Sequence, residues 1–140
     1  MSRRGFDSTT VGEAIGPVWY PVNRAMLVSY AKASGDQNPI HQDEAFAKSV
    51  GLPDLIAHGM FTMAEVGRVL TDFAGDPGAI IEFGTRFTKP VVVPVGPDVM
   101  LEISGVVAEK LANQRIRIDL QVTCGGVKVL GMTRAILALA

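Results

Sequence analysis

Between His58 and Gly75 lies a segment that leaves this chain few folds to choose from. Met60, Phe61, Met63, Ala64, Val66, Val69, Leu70 and Phe73 recur at helical spacing and cover most of a helix circumference. A surface helix carries a narrower apolar stripe, so this one is expected to be buried nearly all round. Ala64 and Gly67 would let neighbouring backbone come close to it. Glu65, Arg68 and Asp72 interrupt the apolar run, which falls short of the roughly 20 residues that a membrane span needs. The helix has to be wrapped by other protein, and His58-Gly59 and Gly75-Asp76-Pro77-Gly78 mark its ends.

What wraps it is written downstream in a different period. Ile116, Ile118, Leu120, Val122 and Cys124 alternate with Arg115, Arg117, Asp119, Gln121 and Thr123, the pattern of a half-buried strand. Gly125-Gly126 turns the chain, and Lys128 to Leu139 returns as the hairpin partner. Val99, Leu101, Ile103 and Val107 give a further strand, and Ile80 to Val93 one more. The first half reads as helical and loop-rich. Asn23 caps a short helix to Ala33, closed by Gly35, and Asp43 caps another through Val50, stopped by Gly51 and Pro53. A buried helix followed by antiparallel strands predicts an α+β fold, with a curved antiparallel sheet around a long central helix.

At 140 residues the chain is expected to form a single domain over residues 1–140. Its formal charge is −1, with charges of both signs scattered along the chain, so no nucleic-acid partner is expected. Cys124 alone allows neither an intramolecular disulfide nor a clustered-thiolate metal site. The opening residues carry Arg3 and Arg4 without a following apolar run, unlike a secretory signal. The expectation is a cytoplasmic protein without a membrane span.

Chemistry is concentrated in Ser34-Gly-Asp-Gln-Asn-Pro-Ile-His41. Asp36 and His41 stand five positions apart across a turn stiffened by Pro39. Adding water to an activated double bond removes one water proton and delivers another to carbon. An Asp and a His holding the same water could divide those tasks. Spacing alone does not require this, because Asp36 also reads as a turn former after Gly35, Asn38 as an Asx-turn residue and His41 as a partly buried polar side chain.

The longer string is more specific. Gly35-Asp-Gln-Asn-Pro-Ile-His41, with Tyr30 before it and Ala47 after it, resembles the hydratase-2 motif of the MaoC-like (R)-specific enoyl-CoA hydratases. Ile56-Ala-His-Gly-Met60 and Arg86-Phe-Thr-Lys-Pro-Val91 continue the resemblance in family order. Gly96-Pro97-Asp98 departs from it, since the family usually has Gly-Asp directly. Within the family the chain is similar to the B-type subunit of mycobacterial (3R)-hydroxyacyl-carrier-protein dehydratase, which works with a partner subunit.

The resemblance implies a hot-dog fold and reversible hydration of trans-2-enoyl thioesters to (3R)-hydroxyacyl thioesters in fatty-acid metabolism. It implies no metal and no cofactor beyond the CoA or phosphopantetheine that the substrate carries. It makes Asp36 and His41 the catalytic pair and Gly59 the residue whose N–H receives the thioester oxygen. It also implies a homodimer, or a heterodimer with a related hot-dog subunit. The Gly59 role has a physical basis too, because a helix N-terminus favours negative charge and a residue without a Cβ admits substrate; close packing of the helix start would equally call for a glycine. Asn38 and Pro39 are expected to brace the loop, and His58 to make a structural hydrogen bond. Cys124, Met60 and Met63 read as core, although either methionine could line an acyl tunnel. Arg86 and Lys89 read as a solvated strand face. Two other readings remain at this point: an acyl thioesterase of the same fold, and a non-catalytic acyl-binding partner subunit.

Overall fold

The computed structural model describes residues 2–140. In chain order it comprises β1 (Ala14–Val22), α1 (Arg24–Ser34), α2 (Glu44–Ser49), α3 (Gly59–Ala74), β2 (Ile80–Phe87), β3 (Val99–Leu111), β4 (Arg115–Cys124) and β5 (Val127–Ala138). The strands form a 5-stranded sheet in the order β1-β3-β4-β5-β2, with every pairing antiparallel. α3 packs on its concave side, the hot-dog arrangement. Among the described residues no helix is long and apolar enough to cross a membrane.

Local chemistry explains most boundaries. Asn23 accepts a hydrogen bond from Met26 N–H and Asp43 accepts one from Phe46 N–H, each satisfying an otherwise unpaired donor of the first turn. Gly35 and Gly75 end α1 and α3 at φ 81° and 75°, a left-handed conformation that a Cβ disfavours. In β4 the predicted alternation holds, with Ile116, Ile118, Leu120 and Val122 buried. Their partners include Val66, Val69, Leu70 and Ala74 of α3, and Leu101, Ile103, Leu130 and Leu137 of the flanking strands.

Several expectations need correction. β1 was not anticipated in the first half, and it forms the edge of the sheet beside β3. Pro17 and Pro21 obscure its pattern; an edge strand accepts them because one of its sides makes no ladder bonds. The strand expected over Ile80 to Val93 ends at Phe87. Beyond Thr88, which still bonds to the Val129 carbonyl, the chain leaves the sheet, and Ala57 N–H bonds to the Val91 carbonyl while Val93 N–H bonds to that of Leu55. Nor is α3 buried all round: Thr62, Val66, Val69, Leu70 and Ala74 face the core, whereas Met60, Ala64 and Arg68 are exposed. Ala64 therefore admits no neighbouring backbone, and Met60 is not core. At Gly67 a Cβ would make ordinary contact with the Phe83 ring at 3.7 Å, so no tight backbone approach occurs there either.

Candidate active site

The segment between α1 and α2 is shaped by short polar bonds. Asp36 Oδ1 accepts from Asn38 N–H at 3.1 Å, and Asn38 Oδ1 accepts from Ile40 N–H at 3.2 Å. Pro39 opens a single 3-10 turn, Pro39–His41, where its missing N–H is no loss. Gln37 donates to the Ala31 carbonyl and so ties the loop back to α1. Arg24 holds the surroundings together: it bonds Asp54 at 2.7 Å, Glu44 at 3.2 Å and the Val93 carbonyl at 3.1 Å.

His41 is buried and Asp36 is exposed. His41 Nδ1 lies 2.6 Å from the Ile56 carbonyl oxygen. A carbonyl only accepts, so Nδ1 carries the hydrogen and Nε2 presents a lone pair. Burial pushes the imidazole below its ordinary value of 6.5; the bond to Ile56 works against this, His58 adds to the lowering, and the Asp36 charge opposes it.

The structure also brings in a third group. Asp36, His41 and His58 each offer a ligand-type atom, all within 4.8 Å of one another. The donor set could interest a metal, but His41 Nδ1 and His58 Nε2 both face backbone carbonyls, at 2.6 and 3.1 Å. The two rings are stacked at 3.7 Å and 22°, and the carbonyl contacts leave His41 Nε2 and His58 Nδ1 as the nitrogens not so engaged.

His58 leads directly into α3, and its side chain makes no cap bond there, unlike Asn23 and Asp43 at the other helices. Its carbonyl accepts from Phe61 and Thr62 N–H. Among the described residues, Gly59 and Met60 N–H are left without a backbone partner, and both residues are exposed. They border an apolar cleft of about 350 Å³ whose walls include Ile56, Thr62, Phe87, Pro90 and Leu130. A Cβ on Gly59 would come within 2.9 Å of the Phe87 ring. Asp36 and His41 do not line this cleft; Ile56 and Gly59 connect it with them.

Among the other residues weighed from sequence, Arg86 and Lys89 are exposed, and Cys124 is half-buried with its thiol pushed up by burial. Lys89 also borders the cleft. Sequence reasoning passed over the Ile56 carbonyl, because a backbone oxygen leaves no mark in a motif. It also passed over Phe87 as the wall facing Gly59. For His58 the signal was its place beside Gly59, but the stack on His41 depends on tertiary structure.

A family model described as MaoC like domain matches residues 7–123. The chain belongs to the MaoC-like family. It is 40% identical over 73 residues to a protein of Mycobacterium tuberculosis named 3-hydroxyacyl-thioester dehydratase X, covering 52% of this chain and 25% of that one. A solved MaoC-like dehydratase superposes with a TM-score of 0.96 at 31% identity, over 99% of this chain and 43% of its own. The R-hydratase PhaJ1 of Pseudomonas aeruginosa superposes with a TM-score of 0.85 at 27% identity, over 98% of this chain and 86% of its own. This MaoC-like chain thus spans a quarter of the mycobacterial relative and less than half of the first of these structures.

Proposed function

We propose that this chain is a hydro-lyase that interconverts trans-2-enoyl and (3R)-hydroxyacyl thioesters. The carrying observation is the placement of two proton acceptors, Asp36 and His41, next to an uncapped helix start. Two hydrogen bonds of about 2.8 Å to one water span up to roughly 5.6 Å, and the two side chains offer atoms within 4.8 Å. A water donating one hydrogen to the Asp36 carboxylate and the other to His41 Nε2 directs a lone pair outward, towards C3 of the enoyl group. As the oxygen–C3 bond forms, a water proton passes to the pair and the C2=C3 electrons move onto the thioester oxygen. That oxygen is received by Gly59 N–H, with Met60 N–H as a second donor, where the helix dipole favours the developing charge. The proton is then delivered to C2, so water has been added across the double bond. The names of the relatives, dehydratase and R-hydratase, support the same reading.

In this reading the CoA or phosphopantetheine arm belongs to the substrate, and the acyl chain occupies the cleft beside Gly59. Neither a metal nor a redox group takes part. The chain works as a pair of hot-dog units, with itself or with a related subunit. Crotonyl-CoA supplied to the purified protein is expected to lose its enoyl absorbance and yield the (3R)-hydroxy product, without release of free thiol. Thiol release with the double bond intact would replace this reading with a thioesterase.

A further inference from the structure

His58 is 2% exposed, and the hydration chemistry proposed above gives it no task. Its Nε2 lies 3.1 Å from the backbone carbonyl oxygen of Asp36. Because that oxygen only accepts, Nε2 carries the hydrogen, and Nδ1 is left as a buried acceptor with no partner among the described residues. One face of the ring stacks on His41. Tyr30 of α1 meets it edge-on at 4.8 Å and also meets Phe61 at 5.5 Å. The two imidazoles are therefore locked in opposite tautomers by two carbonyls, His41 through Nδ1–H and His58 through Nε2–H.

A ring kept only to fill space would be better apolar, since the orphaned nitrogen is unfavourable to bury. The geometry points to a different use: we propose that His58 is a positioning residue that fastens the Asp36 loop to the start of α3 and sets the plane of the His41 ring. The backbone of His58 continues into Gly59 and Met60, so one residue links the acid–base pair to the N–H donors. Its donor governs where Asp36 sits and carries most of the effect, and its flat face, which a planar amide also offers, bears on the plane of the His41 ring. The inference rests on the hydratase reading. The groups facing His41 are Asp36 from the loop, His58 from the α3 start and the Ile56 carbonyl from the preceding segment.

The test compares His58→Phe with His58→Gln in the full chain, using crotonyl-CoA hydration and thermal melting. Phe keeps the stack and loses the donor, whereas the Gln amide nitrogen can reach the Asp36 carbonyl as Nε2 does. A displacement of catalytic groups by about 1 Å can cost roughly 10²-fold, so His58→Phe is expected to lower kcat by that order with KM little changed. His58→Gln is expected to recover about tenfold or more of that loss, even where it melts no higher than the Phe variant. Ring-nitrogen NMR of the unaltered protein is expected to show hydrogen on Nε2 of His58 and on Nδ1 of His41. A folded Phe variant with normal kcat, or a Gln variant no better than Phe, overturns the proposal. If the Phe variant does not fold, the NMR result and the Gln variant decide: hydrogen on His58 Nδ1, or a Gln variant as impaired as the Asp36 and His41 variants, overturns it. An unaltered protein with no hydratase turnover sinks the functional reading and this inference with it, whereas normal turnover with an unaffected Phe variant sinks this inference alone.

Discussion

At His41, the neighbours decide which nitrogen is available and in which charge state. The Ile56 carbonyl takes Nδ1–H, and burial holds the ring below 6.5, which favours the neutral form able to accept a proton. The acid limb of kcat/KM is accordingly expected below pH 6.5; a limb above that value would contradict the assignment of His41 as base. The sign for stability follows from the same shift. Neutral His41 is favoured in the folded chain, so its contribution is complete above the unfolded value of about 6.5 and is lost as pH falls through the lower folded value. Asp36→Asn and His41→Gln are each expected to reduce turnover by about 10²- to 10⁴-fold while the circular dichroism spectrum stays unchanged. Near-normal turnover in either folded variant would remove that residue from the chemistry.

On the scale of single elements, α3 separates two kinds of substitution. At its start, a Cβ on Gly59 would press on Phe87, which is 55% exposed and can move without opening the core. Gly59→Val is therefore expected to fold and melt close to the parent, while its side chain keeps the thioester oxygen off the N–H and lowers kcat/KM by about 10²- to 10³-fold, the scale of one lost oxyanion donor. Normal turnover in that variant would move the donor role to Met60 N–H. Further along, Leu70 is fully buried and Ala64 is exposed. Denaturant melting should show Leu70→Ala losing about 2–5 kcal/mol and Ala64→Val changing stability by no more than about 0.5 kcal/mol. A large loss at Ala64 would mean that a second chain covers that face.

For the molecule as a whole, the two sheet edges differ in what they can accept. β1 carries Pro17 and Pro21, which lack an N–H to offer a partner strand and so blunt pairing. β2 has no proline, and Ile81 and Phe87 are exposed along it, with Met132 exposed on the neighbouring β5. A second hot-dog unit is expected to pair along β2. Light scattering should give a dimer mass for a preparation active on its own, and Ile81→Lys should shift it towards monomer. An active monomer would overturn the pairing, and a dimer indifferent to Ile81→Lys would move it elsewhere.

Read from sequence alone, this chain already yields what short-range chemistry controls. Asn23, Gly35, Asp43 and Gly75 mark helix ends because capping and positive φ are settled within a few residues. The alternation in β4 shows its buried face for the same local reason. Asp36, Asn38, Pro39 and His41 stand out as a group because one turn holds them together. The curved sheet around α3 was legible too, from the change of period along the chain, but which particular distant segments meet was hidden. β1 is a strand only because β3 pairs with it. Val91 and Val93 leave the sheet to pair with Ala57 and Leu55, and that pairing anchors the Ile56 segment against which His41 is set. The His41–His58 stack joins a loop to a helix start 17 positions later. Side-chain periodicity carries no record of which backbone oxygen a distant ring will reach, so the tautomer of His41, and with it the nitrogen free for chemistry, was decided by tertiary structure.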